Sequence, residues 1–238
     1  MADFIGKIVL VTGAAGNLGS AVARLFAKSG ARLALLDHDD GRLAKVFPDM
    51  VGASNYLMLD SVDSGDPAAM KIAVDRVIRK FGRLDVLVNT VGGYQGGQPL
   101  HQTPLETWDR MMNLNARTVF IACQQVIPQM LEQGSGKIVN VAARAGLGGS
   151  TGLSAYSASK SAVIRLTESL AAEVKTAGVN VNCVLPGTID TLQNRAASPG
   201  ADTQLWVSPQ AIAEAILFLA SDAARGIHGA SVPVYGPG

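Results

Sequence analysis

The sequence predicts an α/β fold in which helices cover both faces of a doubly wound, seven-stranded parallel sheet. Short apolar segments alternate with longer segments of helical period throughout the 238 residues. The strand segments are almost wholly apolar, which is typical of a sheet that is buried on both faces. Nearly every connection is long enough for a crossover helix, which favours parallel pairing. We expect a single domain over residues 1–238.

The elements follow from the apolar pattern, taken in chain order. β-Branched apolar runs predict strands over residues 8–11, 33–36, 56–59, 86–88, 138–141, 179–185 and 230–234. Helical periodicity predicts helices over residues 18–29, 67–80, about 104–131, about 155–176 and 209–219. A helix-compatible stretch also follows the second strand and ends at about residue 47. Two irregular segments remain, 90–103 and 188–206. We expect both to be functional loops, with a substrate lid at about 188–207.

Composition indicates a small-molecule partner. Twenty basic and 19 acidic residues give a net charge of +1, so no long-range field favours nucleic acid or a membrane surface. Cys123 and Cys183 lie in a predicted helix and a predicted strand, as reduced packing residues do. The N-terminal segment has neither a basic leader nor an apolar stretch of spanning length. We expect a cytoplasmic protein, and the isolated His38, His101 and His228 predict no metal site.

A glycine-rich turn joins the first strand to the first helix. Glycine permits the sharp reversal and the close approach of backbone to a pyrophosphate, which the helix N-terminus then faces. Asp37 ends the second strand about twenty residues further on, where an acid accepts hydrogen bonds from ribose hydroxyls and repels a 2′-phosphate. An ordinary turn and a solvated acid are the alternatives. Together the features predict a Rossmann-type site for NAD, with the turn contacts Gly13, Gly16, Asn17, Leu18 and Gly19.

A tyrosine and a lysine lie four residues apart near the start of a predicted helix, in Tyr156-Ser157-Ala158-Ser159-Lys160. This spacing puts both side chains on one face, about one turn apart. A nearby ammonium, helped by the positive ring of oxidised nicotinamide, favours the phenolate, so we expect Lys160 to make Tyr156 a usable acid or base. The same pair also occurs by chance on many helices.

With these motifs the chain resembles the short-chain dehydrogenase/reductase family over essentially its full length. Besides the glycine turn and the Tyr-Lys pair, three segments are similar: residues 87–92 after the fourth strand, Asn115 following Trp108, and residues 186–191 after the sixth strand. The resemblance implies catalysis by Tyr156 and Lys160, with Asn115 holding a water that links Lys160 to solvent. It also implies a homotetramer or homodimer, which the apolar long helices favour.

The resemblance further implies a set of cofactor contacts. Lys160 would bind the nicotinamide ribose, Asp60 would approach the adenine, and Ile189 and Thr191 would lie beside the nicotinamide amide. The remaining expected cofactor contacts are Asn89, Pro186 and Gly187.

The chain departs from the family pattern at three places. Asn17 replaces the middle glycine of the turn, and Asn tolerates unusual backbone angles better than most residues. Thr90 and Val91 replace an Asn-Ala pair. Ala143 occupies the position of the catalytic serine, thirteen residues before the tyrosine. Losing one donor to a developing oxyanion costs about a hundredfold or more in rate, so we expect either a substitute hydroxyl or a substrate that needs none.

Two further hypotheses follow from the missing serine. The glycine spacing, the Gly92–Gly97 loop and the segment after Asp190 resemble dihydropteridine reductase, in which Tyr94 or Trp206 would stack on a flat heterocycle. The other hypothesis is a catalytically weak, NAD(H)-binding sensor or scaffold. The leading prediction is an NAD(H)-dependent oxidoreductase for a small carbonyl, alcohol or conjugated substrate, with Ala143, Tyr94 and Trp206 near that substrate.

Overall fold

The computed structural model describes residues 3–237 and contains one seven-stranded sheet. The strands are β1 Ile8–Thr12, β2 Arg32–Leu36, β3 Tyr56–Leu59, β4 Val86–Asn89, β5 Gly136–Val141, β6 Val179–Pro186 and β7 Ser231–Val234. Their order is β3-β2-β1-β4-β5-β6-β7, and every neighbouring pair is parallel. The predicted fold class and strand number are confirmed, and the predicted strand ends shift by two residues at most.

Helices connect the strands and cover both faces of the sheet. They are α1 Asn17–Lys28, α2 Arg42–Val46, α3 Pro67–Phe81, α4 Leu105–Met111, α5 Thr118–Gln133, α6 Ser154–Val174, α7 Leu192–Ala197 and α8 Pro209–Ala220. Helices α1 and α8 pack together on one face, whereas α3, α5 and α6 pack on the other. None of the helices in the described part of the chain is long and apolar enough to cross a membrane.

The predicted helix over residues 104–131 is present, but it is not one regular α-helix. The chain forms α4, then a π-helical segment Met112–Arg117, and then α5, which carries Pro128 in its interior. The wider π turn shifts the helical register while the backbone remains helical. Apolar residues stay close to a 3.6-residue spacing on both sides of such a turn, so the π-helical segment cannot be detected from hydrophobic periodicity. Segment 188–206 also differs from its prediction, because it contains the short helix α7.

Strand order creates the crevice in which a ligand can bind. The chain begins at β1, builds outward through β2 and β3, and then returns to place β4 on the other side of β1. The helices that leave β1 and β4 therefore diverge to opposite faces. In open α/β sheets such a switch point opens a crevice at the carboxyl ends of the strands.

Both cysteines are free packing residues, as the sequence predicts. Cys123 lies on α5 and Cys183 on β6, and both are buried. Burial raises the pKa of the Cys123 thiol to about 12, despite a hydrogen bond from Asn89 that lowers it. The thiolate is the reactive form of cysteine, so burial leaves Cys123 inert.

Two glycines shape the turns into β5 and β6. Gly134 ends α5 with φ of 64°, and Gly178 precedes β6 with φ of 76°. The two turns touch, because the Gly136 amide donates to the Gly178 carbonyl over 3.3 Å. A Cβ on Gly178 would collide with the Gly134 carbonyl oxygen, which is backbone and cannot rotate away. Glycine at 178 is therefore required by both the backbone angle and the space.

We expect Gly178→Ala to lower the free energy of unfolding by at least about 2 kcal/mol, because it adds a backbone collision to a left-handed backbone angle. Gly82→Ala is the matched control. Gly82 also follows a helix with positive φ, of 81°, but a Cβ there has nothing within 4 Å, so only the angle costs, about 1 kcal/mol. Urea unfolding of the two variants measures the difference. Equal losses would show that the contact between the two turns contributes nothing.

Candidate active site

An open cleft of about 1650 Å³ lies at the carboxyl ends of the strands. Typical pockets for one small ligand measure roughly 300–1,000 Å³, so this cleft has room for a cofactor and a substrate together. Most of the predicted site residues line it: Gly13, Gly16, Asn17, Leu18, Gly19, Asp37, Tyr94, Ala143, Tyr156, Lys160, Pro186, Gly187, Ile189 and Thr191. Four predicted residues do not: Asp60, Asn89, Asn115 and Trp206.

The glycine turn forms a close-packed corner between β1 and α1. Gly13 has φ of 63°, in the left-handed region that favours glycine. A Cβ on Gly19 would collide with the Gly13 carbonyl oxygen and lie 2.8 Å from Thr90 Oγ1. Gly16 is the N-cap residue of α1, and among the described residues no side chain caps this helix end. The first amides of α1 therefore remain available to an external acceptor, which fits the phosphates of a dinucleotide.

Asp37 fastens the glycine turn to the end of β2. Its carboxylate is 4% exposed and accepts hydrogen bonds from the amides of Ala15 at 3.0 Å and Asp39 at 3.3 Å. Each carboxylate oxygen has two acceptor positions, so Asp37 can still accept from a ribose hydroxyl. Arg42 Nη1 lies 3.6 Å from Asp37 and 3.0 Å from Asp39. The two acids thus draw one end of the guanidinium toward themselves, where a 2′-phosphate would meet their negative charge.

Asp60 and Asn89 do not line the cleft and are engaged by hydrogen bonds within the fold. Asp60 Oδ1 accepts a hydrogen bond from the Leu43 amide at 3.2 Å and so holds α2. Asp63 and Ser64, a few residues further on, line the cleft instead. The Asn89 amide is 2% exposed and is engaged by neighbouring strands. Cofactor contacts by these two side chains remain predictions.

Helix α6 presents Tyr156 and Lys160 to the cleft, as their spacing predicts. Lys160 is 5% exposed, and its ammonium donates to the Val141 carbonyl over 3.0 Å. Glycine at 92 makes room for this ammonium, because a Cβ there would lie 3.2 Å from Lys160 Nζ and 2.9 Å from Asn115 Oδ1. The β4 and β5 ends therefore enclose the lysine head group.

Burial shifts the pKa values of both Tyr156 and Lys160. Burial raises the pKa of Tyr156 to about 12, and the neighbouring Tyr94 adds to the rise. Burial lowers the pKa of Lys160 to about 8, and the nearby Cys183 opposes this fall in part. Burial therefore outweighs any effect of Lys160 in the protein by itself, and the lowering expected from Lys160 together with oxidised nicotinamide stays a prediction. The ammonium is directed to Val141, and loss of solvent dominates both groups.

Asn115 lies in the π-helical segment and is fully buried. Its Oδ1 accepts from the Gly93 amide at 2.9 Å, and its Nδ2 donates to the Gly93 carbonyl at 3.1 Å and to Ser159 Oγ at 2.9 Å. Ser159 Oγ in turn donates to the Tyr156 carbonyl at 2.8 Å. Asn115 therefore links the glycine-rich loop to the turn of α6 that carries Tyr156.

Of the three residues predicted near a substrate, Tyr94 and Ala143 line the cleft and Trp206 does not. The Tyr94 ring meets the Tyr156 ring edge to face, with centroids 5.0 Å apart, although Tyr94 is 64% exposed. Ala143 is 7% exposed and extended, with φ of −166°. Trp206 does not line the cleft, and its backbone packs against Gly236.

The segment over residues 188–207 is anchored at both ends. Ile189 and Val207 form a parallel bridge, supported by a 2.8 Å hydrogen bond from the Asp190 amide to the Val207 carbonyl. The Thr191 hydroxyl caps α7 by accepting from the Asn194 amide at 3.1 Å. Between the anchors, α7 turns Gln193, Asn194 and Ala197 toward the cleft. The segment can therefore cover a ligand while its base stays fixed.

Besides Asp63 and Ser64, sequence reasoning missed Ser159 and Arg144. Ser159 gives no pattern signal, since its role depends on Asn115, 44 residues away in the chain. Arg144 lines the cleft and follows Ala143 directly, so its place beside the absent serine could have been noticed.

Comparisons with known proteins agree with this arrangement. The family model described as short chain dehydrogenase matches residues 7–201. The 2-(R)-hydroxypropyl-CoM dehydrogenase of Xanthobacter autotrophicus is 34% identical, and 98% of each chain is covered. The D-threitol dehydrogenase of Mycolicibacterium smegmatis is 36% identical over 97% of this chain and 92% of that protein. A solved structure of NAD+-bound xylitol dehydrogenase is 30% identical with a TM-score of 0.85, covering 97% of this chain and 98% of that one.

Because it removes a buried charge, Lys160→Met is expected to be more stable than the wild-type protein by about 2 kcal/mol at neutral pH. The pKa of about 8 in the folded protein lies below the ~10.4 of unfolded lysine, so between these pH values the unfolded chain binds more protons. Wild-type stability therefore rises with pH across this window. The advantage of the variant is complete below pH 8 and shrinks toward about pH 10.

Urea unfolding at about pH 7 and about pH 10 measures this difference. Lys175→Met serves as the control, since Lys175 is exposed and its removal should change stability by about 0.5 kcal/mol at most. No gain at neutral pH, or the same gain at both pH values, would contradict the buried-charge explanation.

Proposed function

The chain belongs to the short-chain dehydrogenase family, and on this premise we propose that it transfers hydride between NAD(H) and a small alcohol or carbonyl compound. The observation that carries the proposal is the shared cleft. The glycine turn lines one end, and Tyr156 and Lys160 line the other. Hydride transfer to a carbonyl requires a proton donor beside the cofactor, and the phenol of Tyr156 supplies that group. Family membership makes the chain an oxidoreductase; the cofactor and the substrate are our proposal.

Three observations support NAD over NADP. Asp37 stands at the end of β2, where ribose hydroxyls would meet its buried carboxylate. A 2′-phosphate would bring extra negative charge beside Asp37 and Asp39, which already pair with Arg42 through its Nη1. The xylitol dehydrogenase with a similar structure holds NAD+.

The protein's own groups would bind and move one proton. Bound nicotinamide supplies or accepts the hydride. With a pKa of about 12, Tyr156 is protonated at neutral pH and can donate to a carbonyl oxygen. Lys160, with a pKa of about 8, is a cation at neutral pH and stabilises negative charge left on the phenol. Asn115 and Ser159 fix the backbone at Tyr156, so the phenol keeps its position as the proton moves.

We also propose the larger-scale features that the sequence predicts. The chain forms one domain, and residues 188–207 act as a lid whose base is pinned at Ile189 and Val207. Exposed apolar side chains on α5, Phe120 and Leu131, support a homotetramer or homodimer. Two buried, free cysteines support a reducing, cytoplasmic setting.

A conjugated substrate is the second candidate, and one observation favours it. Position 143 has no hydroxyl to polarise a carbonyl, whereas Tyr94 offers an exposed aromatic face next to Tyr156. A quinonoid heterocycle accepts hydride without such a donor. The location of Trp206 outside the cleft weakens the likeness to dihydropteridine reductase.

We expect Tyr156→Phe to reduce turnover about a thousandfold, because it removes the proton donor and keeps the ring. NADH binding should be unchanged, since the phenol lies away from the glycine turn. Steady-state assays with NADH and NADPH against ketones, quinones and quinonoid dihydropterin measure turnover, and NADH fluorescence measures binding. Undiminished turnover in the variant would refute the proposal. Wild-type binding of NADH without turnover of any acceptor would favour a sensor or scaffold, and robust pterin reduction would favour the second candidate.

Ala143→Ser should raise the rate of ketone reduction at least about tenfold, because it restores a donor to the developing oxyanion. The extended backbone at 143 accepts serine without strain. Ala142→Ser, at the preceding buried position, is the control for adding a hydroxyl that does not share the orientation of residue 143. A ketone activity that does not rise would show that the missing hydroxyl is not what limits the reaction.

A further inference from the structure

Arg144 projects a guanidinium into the cleft immediately after the position that lacks the serine. Ala143 ends the extended segment after β5, and Arg144 begins a 3₁₀ turn, Arg144–Gly146. This turn is fastened to the catalytic helix, because Ser161 Oγ donates to the Gly146 carbonyl over 2.6 Å. Arg144 and Tyr156 therefore belong to the same wall of the cleft.

The Arg144 side chain rests on an aromatic ring. Its guanidinium carbon lies 4.9 Å from the centroid of the Tyr235 ring, within the range of a cation–π contact. Tyr235 also lines the cleft, and its backbone packs against Gly187 at the carboxyl end of β6. The ring holds the guanidinium through its face and leaves the N–H groups at its edge free to donate.

Within residues 3–237, the Arg144 guanidinium has neither a hydrogen bond nor an ion pair, although it is exposed to the cleft. Carboxylates line the cleft at Asp37 and Asp63, which follow β2 and β3 on the far side of β1. Lys160, the other cation at the Tyr156 end, is buried and directed to Val141. The Tyr156 end therefore carries one solvent-facing positive charge and no lining acid in the described chain.

We propose that Arg144 binds a carboxylate of the substrate, so that the preferred substrates are hydroxy or oxo acids and not neutral alcohols or ketones. This inference rests on the proposed function and deepens it by naming the substrate class. A planar guanidinium with parallel N–H groups matches one carboxylate in a bidentate pair. A single cation matches a substrate with a single negative charge at this end. The carboxylate, once paired with Arg144, fixes the orientation of the carbon that reacts beside Tyr156.

The test compares each acid with its uncharged methyl ester. The probes are 2-, 3- and 4-hydroxybutyrate and their methyl esters, oxidised with NAD+ by the wild-type protein and by Arg144→Met. Met keeps an unbranched apolar stem but removes the guanidinium and its charge. We expect Arg144→Met to lower kcat/KM for the preferred acid about ten- to a hundredfold and to leave its ester unchanged. Arg144→Lys should recover only part of the loss, because a point charge cannot form the bidentate pair.

Arg79→Met is the matched control. Arg79 is exposed in the last turn of α3, so the variant loses the same charge at a place remote from the cleft, and it should retain the preference for the acid. Tyr235→Leu should weaken the preference, since it removes the ring that holds the guanidinium. Equal losses for acid and ester in Arg144→Met, or no preference for any acid in the wild-type protein, would overturn the proposal while the proposed function stands.

A binding measurement separates this proposal from the proposed function. Butyrate and butyramide cannot be oxidised at an alcohol, and calorimetry with each in the presence of NADH reports recognition alone. Tighter binding of butyrate, lost in Arg144→Met and kept in Arg79→Met, supports the carboxylate site even if no alcohol is turned over. Equal binding of the two probes would overturn it. Thermal melting of each variant shows whether the protein is folded, and Arg144→Lys serves as the test variant if Arg144→Met is not.

Discussion

A chain of buried side-chain hydrogen bonds ties the strand of the glycine turn to the catalytic helix. Thr12 at the end of β1 donates to Asn89 on β4 over 3.3 Å, and Asn89 donates to Asn140 on β5 over 2.9 Å. Asn140 donates to Thr167 on α6 over 3.0 Å, and Thr167 donates to the Val163 carbonyl over 2.8 Å. Every member is buried, so each break would leave a polar group without a partner at a cost of about 1–3 kcal/mol. The strands cannot slip and α6 cannot rotate without that cost.

This constraint positions the chemistry. Thr12, Asn89 and Asn140 are direct neighbours in the sheet register, so the bonds run straight across three parallel strands. Thr167 lies two turns beyond Lys160 on the same helix, and fixing it fixes the face of α6 that carries Tyr156 and Lys160. The buried lysine opposes this stabilisation, because its charge is desolvated and has one carbonyl partner. The buried charge of Lys160, which the proposed proton transfer needs, therefore offsets part of the stability that this chain of hydrogen bonds contributes.

The same network explains what the sequence could and could not predict. Alternation of strands and helices determines the sheet, and the spacing of Tyr156 and Lys160 determines their common face, because both are local properties of the backbone. The role of Asn89 is not local: its amide faces Asn140, 51 residues away, so a motif match cannot show that the side chain is already engaged. Asp60 is likewise engaged by Leu43. The π turn at Asn115 escaped prediction because its stability comes from contacts with Gly93 and Ser159, which are set by tertiary packing.

At the wall formed by Ala143 and Arg144, the hydroxyl that would stabilise the reacting oxygen is absent, and under our proposal a guanidinium binds a remote part of the substrate instead. A serine hydroxyl would act at the reacting oxygen and so favour the transition state over the bound substrate. A guanidinium that binds an anion remote from the reacting carbon stabilises the bound substrate as much as the transition state. It raises the rate only by restricting the orientation of the reacting carbon relative to Tyr156. Restriction of this kind can contribute several kcal/mol when the bound geometry is close to reactive, which is comparable with the donor that is missing. The Tyr235 ring matters under the proposed function because it holds Arg144 in place. Arg144 would then fix the position of the substrate carboxylate and, with it, the orientation of the substrate.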